Sequence, residues 1–460
     1  MQSIGIIGGG ITGLTSALNL SLQGFEVTVY EKEDRVGGVI RSYRENGWLA
    51  EGGPHTLMET NEHIRNLVSE LKLEDERLYG DGKSKKRFIV RNKQPMPLPS
   101  SIGSFLSTRL FSTSAKFRLL REPFIAPWDN HEEESLAHFV QRRLGQEFLD
   151  YAINPFVAGV YAGDPQQLSV KQAFEKLYNL EQKYGSLIKG QIKGAKERKK
   201  RKEVNKQKAR LFSFKEGNES IPRAIRERLQ EHIKLNAKVT GISKKGEQWE
   251  ISYQDKDGKY QNILHDAVLY TGPAYALSNI KFDELNPPDS LSEDIYYPPV
   301  SALTLGFKRE DVDHPVDGFG MLIPEKEHFH ILGTLFTSTL FPGRAPEGHV
   351  TLASFIGGAR NPDIARLPKE ELIKLTLEDL DKTLGINGDP VFSHHVFWEK
   401  AIPQYTLGYG SHKKAMDELE EQNPGFFMAG NYRFGISVSD CITSGYETSD
   451  KIGKFLNRTP

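Results

Sequence analysis

The sequence predicts an α/β protein of several domains (α+β multidomain across the whole chain), and three observations predict it. The first 31 residues read as strand, glycine turn, helix, strand and acid; residues from about 102 to 180 carry helical spacing; and after Phe212 strand patterns dominate. The 460 residues suit about three structural units at roughly 150 residues each. With 38% apolar, 10% aromatic and 26% charged residues, the mixture is ordinary for a globular chain with a large core.

Ser3 to Ile7 reads as a short buried strand and runs straight into Gly8-Gly9-Gly10-Ile11-Thr12-Gly13. Leu14, Ala17, Leu18 and Leu22 then share a helical face, Gly24 ends the helix, and Phe25 to Tyr30 is a second strand closing in Glu31. That order is the context of a Rossmann-like dinucleotide-binding unit. Gly8 suits the tight turn, Gly10 lets backbone approach a pyrophosphate, and Gly13 lets the helix lie close on the strand. The helix start offers free N–H groups and the positive end of its dipole. Glu31 comes 18 residues after Gly13, placed to accept hydrogen bonds from an adenosine ribose. Two further glycine turns follow, Arg35-Val36-Gly37-Gly38 and, after a short strand at Trp48 to Ala50, Glu51-Gly52-Gly53-Pro54-His55. Several backbone approaches to one ligand favour FAD over NAD, because the flavin dinucleotide is longer and more enclosed.

From about Ile102 to Phe124, Ile102, Phe105, Leu106, Leu110, Phe117 and Leu120 recur at mostly helical spacing, with Arg109, Lys116, Arg118 and Arg121 between them. Leu136 to Tyr151 is another helical stretch. Lys183 to Arg210 holds 12 Lys or Arg against two Glu, a net of +10, so the rest of the chain sums to −11. This run reads either as a solvated helix or loop, or as an attraction to anionic lipid worth about 1 kcal/mol per basic residue. In the second reading Leu187, Ile188, Ile192 and the stretch around Phe105 to Leu120 supply the inserted face.

Strands are expected at Lys238 to Ser243, Trp249 to Tyr253, Ala267 to Tyr270, Ala302 to Phe307, His330 to Phe336 and Val350 to Phe355. The C-terminal part returns to a strand, Phe426 to Ala429, then Gly430 and a helix from about Asp440. The expected domains are a discontinuous nucleotide domain (1–84, 211–280 and 395–460), a sheet domain for substrate (85–100 and 281–394) and a helical insertion (101–210).

A net charge of −1 argues against a basic nucleic-acid protein. One cysteine, Cys441, excludes an internal disulfide and a cysteine-built zinc site, and it suits a reducing compartment. The 13 histidines show no metal spacing, and His394-His395 alternates faces on a strand-like run, so no metal is expected. No run reaches the roughly 18 to 20 apolar residues of a spanning helix. No leader precedes the first strand, so a soluble or peripherally membrane-bound intracellular protein is expected. No acid/base pair stands out and no catalytic side chain is assigned; hydride transfer to a flavin needs close approach more than a side-chain base.

GGGITG, RVGG and the closing Ala429-Gly430-Asn431 with Gly435-Ile436-Ser437-Val438-Ser439-Asp440-Cys441-Ile442 resemble the flavin amine-oxidase superfamily. Within it, Gly38-Val39-Ile40-Arg41-Ser42, Gln141-Arg142-Arg143-Leu144-Gly145, Gly159-Val160-Tyr161-Ala162-Gly163, Gly318 to Pro324 and Ile402-Pro403-Gln404-Tyr405-Thr406-Leu407-Gly408 resemble the oxygen-dependent protoporphyrinogen oxidases. The resemblance implies a two-dinucleotide-binding-domain flavoprotein with a Rossmann-like FAD domain, a mixed-sheet substrate domain and an α-helical membrane-binding insertion. It implies a six-electron oxidation of protoporphyrinogen IX to protoporphyrin IX in haem biosynthesis, with O₂ consumed and hydrogen peroxide released. Implied FAD contacts are Gly8, Gly9, Gly10, Ile11, Thr12 and Gly13; Glu31 and Lys32; Val39; Gly53, Pro54, His55 and Thr56; Val239; Trp398; and Ile436, Ser437 and Val438. The substrate cleft it implies uses Arg87, Phe319, Leu322 and Phe355. A wide apolar slot for a tetrapyrrole wants a well-placed cation, and the Arg87 guanidinium can bind a propionate through two parallel hydrogen bonds. Read without the resemblance, Arg87 is a solvated residue of a charged turn, and the other three are core residues. His55 and Tyr409 depart from the pattern, since many relatives carry Arg and His there. Partners so implied are anionic lipid and ferrochelatase, with the protein cytoplasmic and peripheral on the inner face of a membrane; the assembly, monomer or homodimer, stays open. Coproporphyrinogen III oxidation and a non-catalytic porphyrin carrier remain the alternatives.

Overall fold

The computed structural model of the chain describes residues 1–80, 82–128, 132–201, 209–283, 285 and 287–457, without the side chains of 83–84 and 195–201. A five-stranded parallel sheet carries the first glycine turn, in the order Ile233–Lys234, Glu26–Tyr30, Ser3–Ile7, Ala267–Tyr270, Phe426–Met428. Its strands are apolar on both sides, as a sheet covered on both faces requires. Ile4, Ile6, Val27 and Val29 face the helices Ile11–Leu22, Ser220–Leu229 and Val438–Leu456. Ile7, Tyr30, Val268 and Tyr270 face a second, four-stranded sheet through Trp249 and Ile251. That sheet has the order Tyr260–His265, Gln248–Gln254, Lys238–Lys245, Lys281–Asp283.

The third large sheet has seven strands: Phe392–Trp398, Val300–Lys308, His349–Gly357, Ile331–Leu335, Gly320–Leu322, Phe88–Arg91 and Gln94–Pro97. Neighbours are antiparallel except Gly320–Leu322 beside Phe88–Arg91, which run parallel. Leu372, Leu380 and Leu384 of helix Lys369–Leu384 close one face. Helix Asn154–Tyr161 packs against Gly320–Leu322 and Ile331–Leu335. Strand Lys281–Asp283 joins the sheet beside the nucleotide unit, and Phe392–Trp398 joins the seven-stranded one, so both cross the sequence-based domain limits.

The stretch Leu136 to Tyr151, expected as one helix, is two pieces. Helix Leu136–Arg143 stops before Gly145, whose φ of +99° is left-handed, and a wide π turn at Leu149–Ile153 leads into Asn154–Tyr161. Arg143 is wholly buried in this insertion, donating to Glu122 at 3.1 Å and to the Ile125 carbonyl at 3.0 Å, and it pairs with Glu181. A buried cation needs this many partners, and together they tie the 122–125 turn to helices Leu136–Arg143 and Glu175–Tyr184.

The apolar surface of the insertion agrees with the expected one only in part. Leu187 is buried in the helical core, and the Phe105 ring packs against Phe111 and Phe148. Of the expected face, Leu106, Phe117, Leu120 and Ile192 are exposed, and Ile102 (82% exposed) and Phe124 (86%) join them. Side-chain capping by Ser101 and Ser112 splits the stretch into short helices, Ile102–Ser107 and Thr113–Leu119, which leaves Ile102, Leu106 and Phe117 outward. Of the basic run Lys183–Arg210, residues 202–208 and the side chains of 195–201 lie outside the described residues; helix Leu187–Arg201 carries the part before them. Among the described residues no helix is long and apolar enough to cross a membrane, and no cluster of metal-ligating side chains is found.

Candidate functional site

The glycine turn is built as its spacing requires. Gly8 has φ +108°, and its N–H donates to the Tyr30 carbonyl at 2.9 Å. A Cβ on Gly13 would lie 2.1 Å from the Gly8 oxygen, so only glycine lets the helix sit this close. Gly10 differs: a Cβ there meets nothing within 4 Å. The chain does not need glycine at Gly10 for its own packing, which fits a position kept bare for a ligand's approach. Gly10 is also the N-cap of Ile11–Leu22, with no side-chain cap and no acid in the first turn, so the first N–H groups stay free for an anion. The second turn packs on the first, Gly37 N–H donating to the Gly9 carbonyl at 2.8 Å.

Glu31 is buried, and burial raises its pKa. One carboxylate oxygen accepts the Gly9 N–H at 2.7 Å and the other the Glu33 N–H at 3.0 Å. The acid therefore holds the turn itself, and each oxygen keeps a lone pair for a ribose hydroxyl. Lys32 is exposed and pairs with Glu33 at 3.4 Å. Val239 sits one residue from the start of strand Lys238–Lys245, packed with Tyr30 and Tyr253.

Three distant segments converge beyond this turn. Val39 is exposed, and its carbonyl lies where a Cβ on Gly53 would come within 2.3 Å, so the two backbones touch. Trp398 Nε1–H donates to the Gly52 carbonyl at 2.8 Å, and the Pro54 carbonyl accepts from Asn218. His55 is 7% exposed; Nδ1 lies 2.9 Å from the Gly53 carbonyl, and burial pushes the imidazole down to about 4. Thr56, next in the turn, is half-buried. From the C-terminal side, Ser437 caps helix Val438–Leu456 by accepting the Asp440 N–H, and Ile436 packs beside the Tyr30 cluster. That helix lies close on the first one, since a Cβ on Gly445 would meet the Thr12 carbonyl at 2.9 Å. Cys441 is buried there, its thiol pushed up to about 12. His394 and His395 are taken up by Tyr43 (ring centroids 4.0 Å apart) and the Ser301 hydroxyl (2.9 Å).

The expected substrate residues lie along the seven-stranded sheet. Gly333 is the register partner of both Leu322 and Phe355, so the three form one row across adjacent strands. Partners share a face, and the middle residue has no side chain, so Leu322 reaches over it: a Cβ on Gly333 would lie 3.2 Å from Leu322 Cδ2. Phe355 meets His55 edge to face, centroids 5.2 Å apart, and packs near Ala158 and Ala162 of the helical insertion. Arg87 is exposed, its guanidinium 5.1 Å from the centre of the Phe319 ring. It lies two residues from Ile89, the register partner of Leu322, and strand alternation puts it on that same face.

Gly159, Gln404, Glu51 and Arg344 also belong here, and sequence reasoning gave them no role. A Cβ on Gly159 would sit 2.3 Å from Leu322 Cδ2, and Gln404 Nε2–H donates to the Tyr161 carbonyl at 2.8 Å. Both fall in stretches quoted for their resemblance, which was the available signal. Arg344 is buried, donating to the Ser213 hydroxyl at 2.7 Å and the Phe214 carbonyl at 3.1 Å, and nothing in its neighbourhood of the sequence marks it.

The family model for flavin containing amine oxidoreductases matches residues 11–453. Protoporphyrinogen oxidase 2 of Arabidopsis thaliana is 37% identical over 99% of this chain and 94% of its own length. Coproporphyrinogen III oxidase of Bacillus subtilis is 30% identical, covering 96% and 95%. The crystal structure of an Exiguobacterium sp. 255-15 protein superposes with a TM-score of 0.81 over 99% of both chains at 23% identity, which shows the shared fold. The Gly10 opening and the uncapped helix start fit the dinucleotide such a family holds. The chain belongs to the flavin containing amine oxidoreductases, in the group that includes the protoporphyrinogen oxidases.

Proposed function

We propose that this protein is an FAD-dependent oxidase that converts protoporphyrinogen IX to protoporphyrin IX in haem biosynthesis. The row Leu322–Gly333–Phe355, with Arg87 on the same face, carries the reading, because it sets apolar side chains for a large ring beside a guanidinium for a propionate. Gly8 to Gly13, Glu31, Val39, the Gly53 to Thr56 turn, Trp398 and Ile436 to Val438 would hold the cofactor, and Lys32 and Val239 would border its adenine end. Bound FAD supplies the two-electron acceptor for hydride from a meso carbon. Each two-electron round would also release a pyrrole N–H proton to water, and one meso hydrogen shifts to a ring nitrogen by tautomerisation. Three rounds so remove six electrons, four meso hydrogens and two N–H hydrogens in all while three O₂ leave as hydrogen peroxide. The chain's part is to orient one meso bridge, pair a propionate and exclude water from the slot. The 33–37% identity to protoporphyrinogen oxidases against 30% to a coproporphyrinogen III oxidase supports the first substrate.

Anaerobic mixing of the flavin-loaded chain with protoporphyrinogen tests this: the oxidised flavin bands should bleach. Bands that persist overturn the oxidase reading in favour of a porphyrin carrier, and faster bleaching with coproporphyrinogen III overturns the substrate. We also propose that the helical insertion, 101–210, docks on anionic lipid through Ile102, Leu106, Phe117, Leu120, Phe124 and Ile192, on the cytoplasmic face of a membrane where ferrochelatase could take the insoluble product. Sedimentation with anionic against neutral vesicles tests it, and equal recovery from both overturns it.

A further inference from the structure

Behind the Gly53 to Thr56 turn lies a small, largely enclosed cavity lined by Glu51, His55, Thr304, Thr337, Phe341 and Arg344, among others, with about 10 Å³ open to a water centre. That is room for a single water and too little for a carboxylate or phosphate. Two polar atoms there are shut off from solvent without a partner: His55 Nε2 and Arg344 Nη1. His55 is 7% exposed and Arg344 2%.

The chemistry of the two atoms is complementary. The Gly53 carbonyl can only accept, so His55 Nδ1 carries the hydrogen and Nε2 is a bare acceptor. Arg344 has donors to spare, since its bonds to Ser213 and Phe214 both use Nη2. Leaving either group unmade is costly for a buried polar atom. A water accepts from the guanidinium and donates to the imidazole, and its remaining bonds can go to Glu51 or the threonine hydroxyls. We propose that one ordered water in this cavity joins Arg344 Nη1 to His55 Nε2. Through it Arg344 is a positioning residue that fixes the His55 ring, and with it the Phe355 ring met edge to face. This rests on reading the Gly53 to Thr56 turn and Phe355 as walls of the cofactor and substrate sites.

The test uses the full chain loaded with FAD. A crystal structure should show one water within hydrogen-bond reach of both atoms, and nitrogen-15 NMR of labelled histidine should show His55 neutral with the hydrogen on Nδ1. Arg344→Met should move the His55 Nε2 resonance and lower kcat/KM about tenfold; Arg344→Lys, which keeps a cationic donor, should restore both. An empty cavity, a direct Arg344–His55 contact, or a His55 resonance unmoved in Arg344→Met overturns the inference. Should Arg344→Met fail to fold, the unsubstituted protein's water and tautomer decide alone. Anaerobic bleaching of the unsubstituted protein separates the two readings: bleaching without the bridging water sinks only this inference, and the water without bleaching sinks only the oxidase.

Discussion

Replacing Glu51 by Gln isolates the electrostatic cost of the cavity behind the flavin-side turn. Burial pushes the Glu51 carboxyl up from 4.5 to about 7, against the pull of the Ser42 and Asn218 hydrogen bonds and the Arg344 charge and with a push from Glu219. Between those two values the folded chain holds a proton that the unfolded chain has released. The stabilisation is therefore full below pH 4.5 and is lost as pH rises through 7, a loss of about 3 kcal/mol. Gln can keep both contacts. Its oxygen accepts the Asn218 N–H (2.9 Å for Glu51), and its NH₂ donates to Ser42 Oγ, which still accepts the Glu219 N–H at 3.2 Å. Glu51→Gln should thus exceed the parent by only about 1 kcal/mol at pH 5 and by about 3 kcal/mol at pH 8. His55, pushed down to about 4, acts in the opposite sense as pH rises from 4 to 6.5, but it does so in both proteins and cancels in the difference. Urea midpoints from pH 5 to 8 measure that difference, and a carboxylic C=O infrared band that titrates near 7 in the parent alone reports the group itself. A parent-to-variant difference that stays flat over this range, or a variant less stable throughout, would refute the assignment.

Gly13→Ala should destabilise the chain by about 1–3 kcal/mol, because its Cβ meets the Gly8 oxygen at 2.1 Å. Gly10→Ala should cost less than about 1 kcal/mol yet lose FAD; thermal melting of the flavin-free chain and a flavin titration separate the two. Arg87→Ala should raise KM for the porphyrinogen roughly 10- to 100-fold with flavin content unchanged, as expected for a lost charged hydrogen bond; an unchanged KM removes Arg87 from the site. Gly159→Ala should push Leu322 into the slot, raising KM while leaving FAD affinity alone, and a KM equal to the parent's would show that the slot does not run past Leu322.

The nucleotide unit was legible because its demands are local. Strand Ser3–Ile7, the glycine turn and strand Glu26–Tyr30 lie where spacing puts them, and so does Ala267–Tyr270. Helices Lys369–Leu384 and Tyr409–Gln422 were not read, since each carries charges densely enough to blur its apolar stripe. Strand Tyr260–His265 was missed because it lies at the edge of its sheet and is mostly exposed, without the alternation that marks a half-buried strand. In the candidate site, the row through Gly333 is a product of register between strands about 10 and 20 residues apart, which no local pattern encodes. The inward turn of Leu187 and outward turn of Phe124 likewise depend on where short helices break. Glu51 and Arg344 are 293 positions apart and meet only through tertiary folding.

The five-stranded parallel sheet interleaves strands from residues 3–7 and 26–30 with others from 233–234, 267–270 and 426–428. At 5–20 residues per second of synthesis, its last strand leaves the ribosome roughly 20 to 80 s after its first. For about the first three-fifths of that interval the nascent Ser3–Ile7 ribbon lacks its eventual neighbour at 267–270, and for the rest that neighbour awaits 426–428. Bacterial or plant, any cell making this polypeptide must shelter an incomplete parallel edge for most of translation, and a chain released early would be a substrate for chaperones and proteases before it could become a flavoprotein.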